Sequence, residues 1–173
     1  MVRQWILTVL GPDRPGLVEE LAATIRACGG NWNESRFQEL HGQFAGLVAL
    51  TVPEDHEESL QAALTDFAHQ TGLQVQSAPG NVNEVTGREL TLECVGQDRP
   101  GIVQAVSDVF KSLGINVDRM QTAVESAPMS GETLFRAVFD VRIPDTADLQ
   151  SLESRLAEIG DELMLDVQVD PAG

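Results

Sequence analysis

Residues Gly11-Pro12-Asp13-Arg14-Pro15-Gly16-Leu17-Val18 return as Gly96-Gln97-Asp98-Arg99-Pro100-Gly101-Ile102-Val103, 85 residues further on. The same spacing relates Leu21, Gly29 and Asn31 to Val106, Gly114 and Asn116. A chain of 173 residues that repeats at this period predicts two domains of roughly 80 residues, each large enough to bury a modest core. We place the first at 1–78, a linker at 79–87 and the second at 88–173. The linker rests on the Pro, Gly and Asn content of the stretch from Ser77 to Gly87, which has no apolar period.

Each octapeptide follows an apolar run, Trp5 to Leu10 or Leu90 to Val95, and precedes apolar residues at helical spacing. It is therefore a strand-to-helix turn. Asp13 stands where an N-cap belongs, with Pro15 in the first helical turn and Gly16 admitting a close approach. Leu17, Val18, Leu21, Ala22 and Ile25 form the apolar stripe of that helix, which Gly29-Gly30 ends. Asn31 to Leu40 and Phe44 to Val52 read as a hairpin turned at His41-Gly42-Gln43. A helix opening on Glu54, Asp55, Glu57 and Glu58 follows, then a short strand from Leu73 to Gln76. The second half repeats this order, with six extra residues assigned to Glu125–Gly131. Two β-α-β-β-α-β units predict an α+β fold of two ferredoxin-like layers, each an antiparallel sheet with both helices on one face. The other face and the edges need a partner. The second copy supplies one in a pseudo-two-fold pair.

A formal charge of −16 and a sequence pI near 4.3 speak against direct binding to nucleic acid or an anionic membrane, both of which require a basic face. Lys111 is the only lysine and the arginines are scattered. No apolar run approaches the length of a membrane span. Cys28 and Cys94 fall at positions that do not correspond under the repeat, which with the absence of a signal peptide predicts a cytoplasmic protein. Catalysis has little support: His41, His56 and His69 have no counterparts in the second half, and Asp66 with His69 lacks a third metal ligand. No Walker-type or Gly-x-Gly-x-x-Gly motif follows either turn, so neither enzyme nor cofactor is expected.

The repeated turns admit two readings. In the local one, Asp caps the helix, Arg pairs with an acid, and Pro and Gly shape the chain. In the functional one, helix-start N–H groups beside an arginine make a carboxylate-binding corner, while Asn31 and Asn116 offer an amide that both donates and accepts, as a zwitterion requires.

Asp-Arg-Pro-Gly-(Leu/Ile)-Val after the first strand and the Gly-Asn-Trp and Gly-Ile-Asn-Val runs at the second resemble the ACT domain. The resemblance covers both halves, about 2–77 and 88–170, and implies amino-acid-sensing modules that pair side by side. A chain made of two such halves is similar to the glycine cleavage system transcriptional repressor family. That implies a regulator binding glycine or a related small amino acid such as serine and acting through a protein partner, such as a transcriptional activator, rather than on DNA. A homodimer is compatible with it. The alternative is an interaction module that assembles with an enzyme or regulator and binds no small molecule. The ligand-binding residues implied are Asp13, Arg14, Pro15, Gly16, Leu17 and Asn31 in the first half, and Asp98, Arg99, Pro100, Gly101, Ile102 and Asn116 in the second. Turn and asparagine lie at opposite ends of one helix, so the pairing implies crossed sites: Arg14 and Gly16 with Asn116, and Arg99 and Gly101 with Asn31.

Overall fold

Trp5, Leu7 and Val9 are buried in alternation with exposed neighbours, the period of two that gives a strand one inner face. The computed structural model describes residues 1–81, 86–126 and 132–171 and divides into two units, Met1–Asn83 and Glu84–Gly173. The first unit runs β1 (Val2–Pro12), α1 (Leu17–Ala27), β2 (Asn31–Leu40), β3 (Gln43–Pro53), a 3-10 turn Glu54–His56, α2 (Glu57–Thr71) and β4 (Gln74–Pro79). Its sheet has the order β2-β3-β1-β4, every pair antiparallel. The second unit runs β5 (Arg88–Gln97), α3 (Ile102–Ser112), β6 (Asn116–Ser126), β7 (Thr133–Ile143), α4 (Leu149–Leu163) and β8 (Leu165–Pro171), in the order β6-β7-β5-β8. Both are the expected ferredoxin-like layers. Of the sequence assignments, part of the 79–87 linker and most of the insertion at Glu125–Gly131 lie outside the described residues.

Each core is the space between the helices and the inner sheet face. Leu17, Leu21 and Ile25 repeat every four residues on α1, and Leu60, Leu64 and Phe67 follow at spacings of four and three on α2, against Leu7, Val9, Val48 and Leu50 of the sheet. In the second unit Phe110 and Phe139 meet edge to face, ring centroids 5.4 Å apart, among Leu92, Val106, Leu152 and Leu156. Gly11 and Gly96 open the two octapeptides for a packing reason. A Cβ on Gly11 would lie 2.6 Å from the Leu73 side chain, and one on Gly96 2.7 Å from the Met164 carbonyl oxygen. The central strand passes too close to the start of the last strand for any larger residue.

The helix-free faces differ, which corrects the expectation that each half offers apolar sheet surface. In the first unit Ile6, Leu10 and Leu47 stand on it, exposed. In the second the same face is charged: Arg119 pairs with Asp140, Arg136 with Glu93, and Arg142 with Glu89. Glu89 stands directly opposite Arg142 and Arg119 opposite Asp140, while Glu93 reaches Arg136 diagonally. Cys94, turned into the core, has its thiol pushed up to about 11 by burial and the adjacent Glu93.

Leu7 and Leu92 are equivalent and fully buried. Leu7→Ala is expected to lower unfolding stability by about 3 kcal/mol in urea denaturation, as cavity formation in a core that cannot collapse requires. Asp148 is the N-cap of α4, accepting from the Gln150 and Ser151 amides and the Ser151 hydroxyl, which hold its carboxyl below the usual range. A depressed folded value stabilises above the unfolded one, so this contribution is lost as pH falls through the acid side of the carboxylate range. Asp148→Ala should lower the melting temperature at neutral pH and have no effect at a pH where the carboxyl is protonated.

Candidate functional site

The turn between the central strand and the first helix of each unit is built around a glycine. Pairing of β1 with β3 continues to Pro12, and the Asp13 amide still donates to the Gly42 carbonyl at 3.0 Å. Asp98 repeats this with Thr133, also at 3.0 Å. The chain thus stays tied to the hairpin through the Asp, then reverses at Gly16 (φ +92°) or Gly101 (φ +97°), a left-handed conformation that side chains disfavour. The helix begins after it. This corrects two assignments: Asp13 is not the N-cap, nor is Pro15 in the first helical turn, because the left-handed glycine takes the cap position itself. Glu20 to Gly16, and Ala105 to Gly101, are the first helical hydrogen bonds, each 2.9 Å. The three preceding amides of each helix have no side-chain cap and no intrahelical acceptor. Leu17 and Ile102 are buried, so backbone N–H is what they offer a ligand.

The two turns then part. Arg14 donates from both terminal nitrogens to the two carboxylate oxygens of Glu20, 2.7 Å each, and from Nη1 to the Pro15 carbonyl. These bonds hold the Glu20 carboxyl below its ordinary range and the guanidinium above its own. At the position matching Glu20 the second unit has Ala105, and among the described residues Arg99 reaches only the neutral Gln97 Oε1 at 3.2 Å. Beside it opens a shallow cavity of about 430 Å³ lined by Asp98, Arg99, Gly101 and Phe135. Phe44, the counterpart of Phe135, is instead buried and stacked on Phe37 with centroids 4.9 Å apart.

Within each unit the structure gathers the Asp, Arg, Pro, Gly and apolar residue of the motif at one helix end and leaves the asparagine at the other. The 11 residues of α1 alone span about 16 Å. Asn116 Nδ2 donates to Asp118 Oδ1 at 2.6 Å, and Asp118 also meets Arg142. Asp118 sits at a bulge in β6, and β2 is irregular at the matching place, between Trp32 and Glu34. Among the described residues Asn31 has no such bond. Sequence reasoning missed Glu20, Asp118 and Phe135. Glu20 was readable, as an acid one helical turn past Gly16 and absent at Ala105.

Elsewhere the chemistry is poorer. A crevice of about 270 Å³ against α4 and β8 carries only carboxylates, Glu153 and Asp161, as charged groups. One of about 510 Å³ between α3 and α4 holds Arg155, already donating to Ser112 Oγ at 2.5 Å. Among the described residues no group of three or more His, Cys, Asp or Glu is placed to hold a metal ion, and no helix is long and apolar enough to cross a membrane.

Family comparisons agree with this geometry. Two family models, both described as ACT domain, match residues 3–77 and 90–161. The chain belongs to the ACT domain family. ACT domains are in general amino-acid-sensing regulatory modules. An unknown protein from Galdieria sulphuraria is 27% identical, with a TM-score of 0.88 and both chains fully covered. A proposed glycine cleavage system transcriptional repressor shares the fold at 16% identity, with a TM-score of 0.73 over 98% of this chain and 97% of that one. No curated protein matches the sequence.

The Arg14–Glu20 pair of the first ACT domain gives a direct check. Because Glu20 is depressed when folded, the pair's contribution is present above the unfolded value and disappears as pH falls through the folded one. In an NMR titration the Glu20 carboxyl should have a lower midpoint in the parent protein than in Arg14→Ala. Equal midpoints would mean that the pair does not form in solution.

Proposed function

We propose that the protein is an amino-acid-responsive regulator, with no catalysis of its own, that binds glycine or a related small amino acid such as serine. It acts through a protein partner, such as a transcriptional activator, rather than on DNA. The supporting observation is the second turn. There a helix start without a side-chain cap, an arginine with no acidic partner among the described residues and a glycine with none of them against its Cα face the same cavity. Three helix-start amides and a guanidinium are what a carboxylate needs, and a cavity of this size suits a small molecule. The family and the tandem arrangement favour the same reading, and the likeness to the repressor motivates the choice of glycine.

In this reading the ammonium group is held by an asparagine amide oxygen. Turn and asparagine are a helix length apart in one copy, so the asparagine comes from the other copy across a two-fold, in one chain or in a dimer. The two candidate sites then group Arg99 and Gly101 with Asn31, and Arg14 and Gly16 with Asn116. The net charge of −16 makes contact with the DNA backbone unfavourable. The unpaired buried cysteines suit a reducing, cytoplasmic setting.

A thermal-shift screen over the common amino acids at millimolar concentration tests the reading. One of them, glycine or serine first, should raise the melting temperature, since a ligand at 100 times its Kd stabilises by about 2.7 kcal/mol. No shift with any amino acid would leave the chain an interaction module alone. The purified protein should also fail to retard duplex DNA at physiological salt. A specific nanomolar complex formed without a partner would contradict the proposed mode of action.

A further inference from the structure

We infer that the two duplicated turns are not equivalent sites: the first is closed by the chain's own carboxylate, so that only the second takes a free amino acid. This rests on the proposed amino-acid binding and adds to it the number of sites and the group that decides it. Glu20 already gives Arg14 the two-oxygen contact that a ligand carboxylate would make. It also fills the approach. A Cβ on Gly16 would lie 3.4 Å from Glu20 Oε1 and 3.9 Å from Arg14 Nη1, whereas none of the described residues stands within 4 Å of one on Gly101. Glu19 and Glu20 place two acids in the first turn of α1, offsetting the partial positive charge of its end, and the first turn of α3 has none. The asparagines follow the same pattern. Asn116, assigned with the first turn, donates to Asp118, whereas Asn31, assigned with the second, has no such carboxylate partner among the described residues. A ligand entering the first site would have to displace two internal carboxylates and accept their repulsion.

The device is intramolecular, so exchanging two residues should move it. Glu20→Ala copies the second turn and Ala105→Glu copies the first. Both positions are partly exposed on helices, and Glu20→Gln serves as a variant of unchanged size. The full-length ¹⁵N-labelled protein is titrated with glycine, and in parallel with L-serine, while the amides of Leu17 and Val18 and of Ile102 and Val103 are followed. In the parent protein the second pair should shift on saturation and the first should stay still. In Glu20→Ala and Glu20→Gln both pairs should shift, and in Ala105→Glu the response of Ile102 and Val103 should weaken at least tenfold in midpoint. Shifts of Leu17 and Val18 in the parent with the same midpoint as Ile102 and Val103 would overturn the inference while leaving amino-acid binding intact. So would a first turn still silent in both Glu20 variants. Silence of all four amides in every variant with both probes would overturn the binding reading itself and this inference with it.

Discussion

A left-handed glycine between the central strand and the first helix is the constraint on which each half depends. The strand remains paired through the aspartate of the motif, and the helix must start at once to lay its stripe over the sheet. Only a residue without a side chain makes that reversal cheaply. Placing the glycine at the cap position has a chemical consequence. A glycine cap has no side-chain oxygen, so the first amides of the helix are left for some other acceptor. Backbone geometry thus leaves these amides open before any specific ligand is considered.

The two copies of the turn differ in what fills them. The first copy satisfies its arginine with Glu20 and buries its flanking aromatics in the Trp32, Phe37 and Phe44 group. The second has an alanine at the first position, and its aromatic ring borders an open cavity. The helix-free faces diverged as well, one apolar and one laced with ion pairs. Ion pairs at such exposure add little stability, so the charged face is better understood as a constraint on what it can contact.

Most of the fold was legible because the repeat fixed the domain period and the apolar spacing fixed each element. Trp5 to Leu10 is an apolar run of strand length, and Leu17, Leu21 and Ile25 after the turn recur by turns of helix, which separates strand from helix. The helix start was placed three residues early, since Asp and Pro are ordinary cap signals and nothing local shows that Asp13 is still bound to the hairpin through the Gly42 carbonyl. The turn residues were found, but their state was not. Whether Arg14 is open or occupied depends on a side chain six residues away, outside the repeated octapeptide, at the position where Glu20 aligns with Ala105. Likewise the acid over Asn116 comes from a bulge, which no pattern of alternation announces.

The central claim is that a ligand carboxylate is what the uncapped helix start and Arg99 hold. Calorimetric titration of the full-length protein with glycine and then with glycinamide measures this most directly, because the two differ only in the group the corner would contact. The account predicts heat and saturation with glycine and none with glycinamide at the same concentrations. Equal binding of both compounds would contradict it.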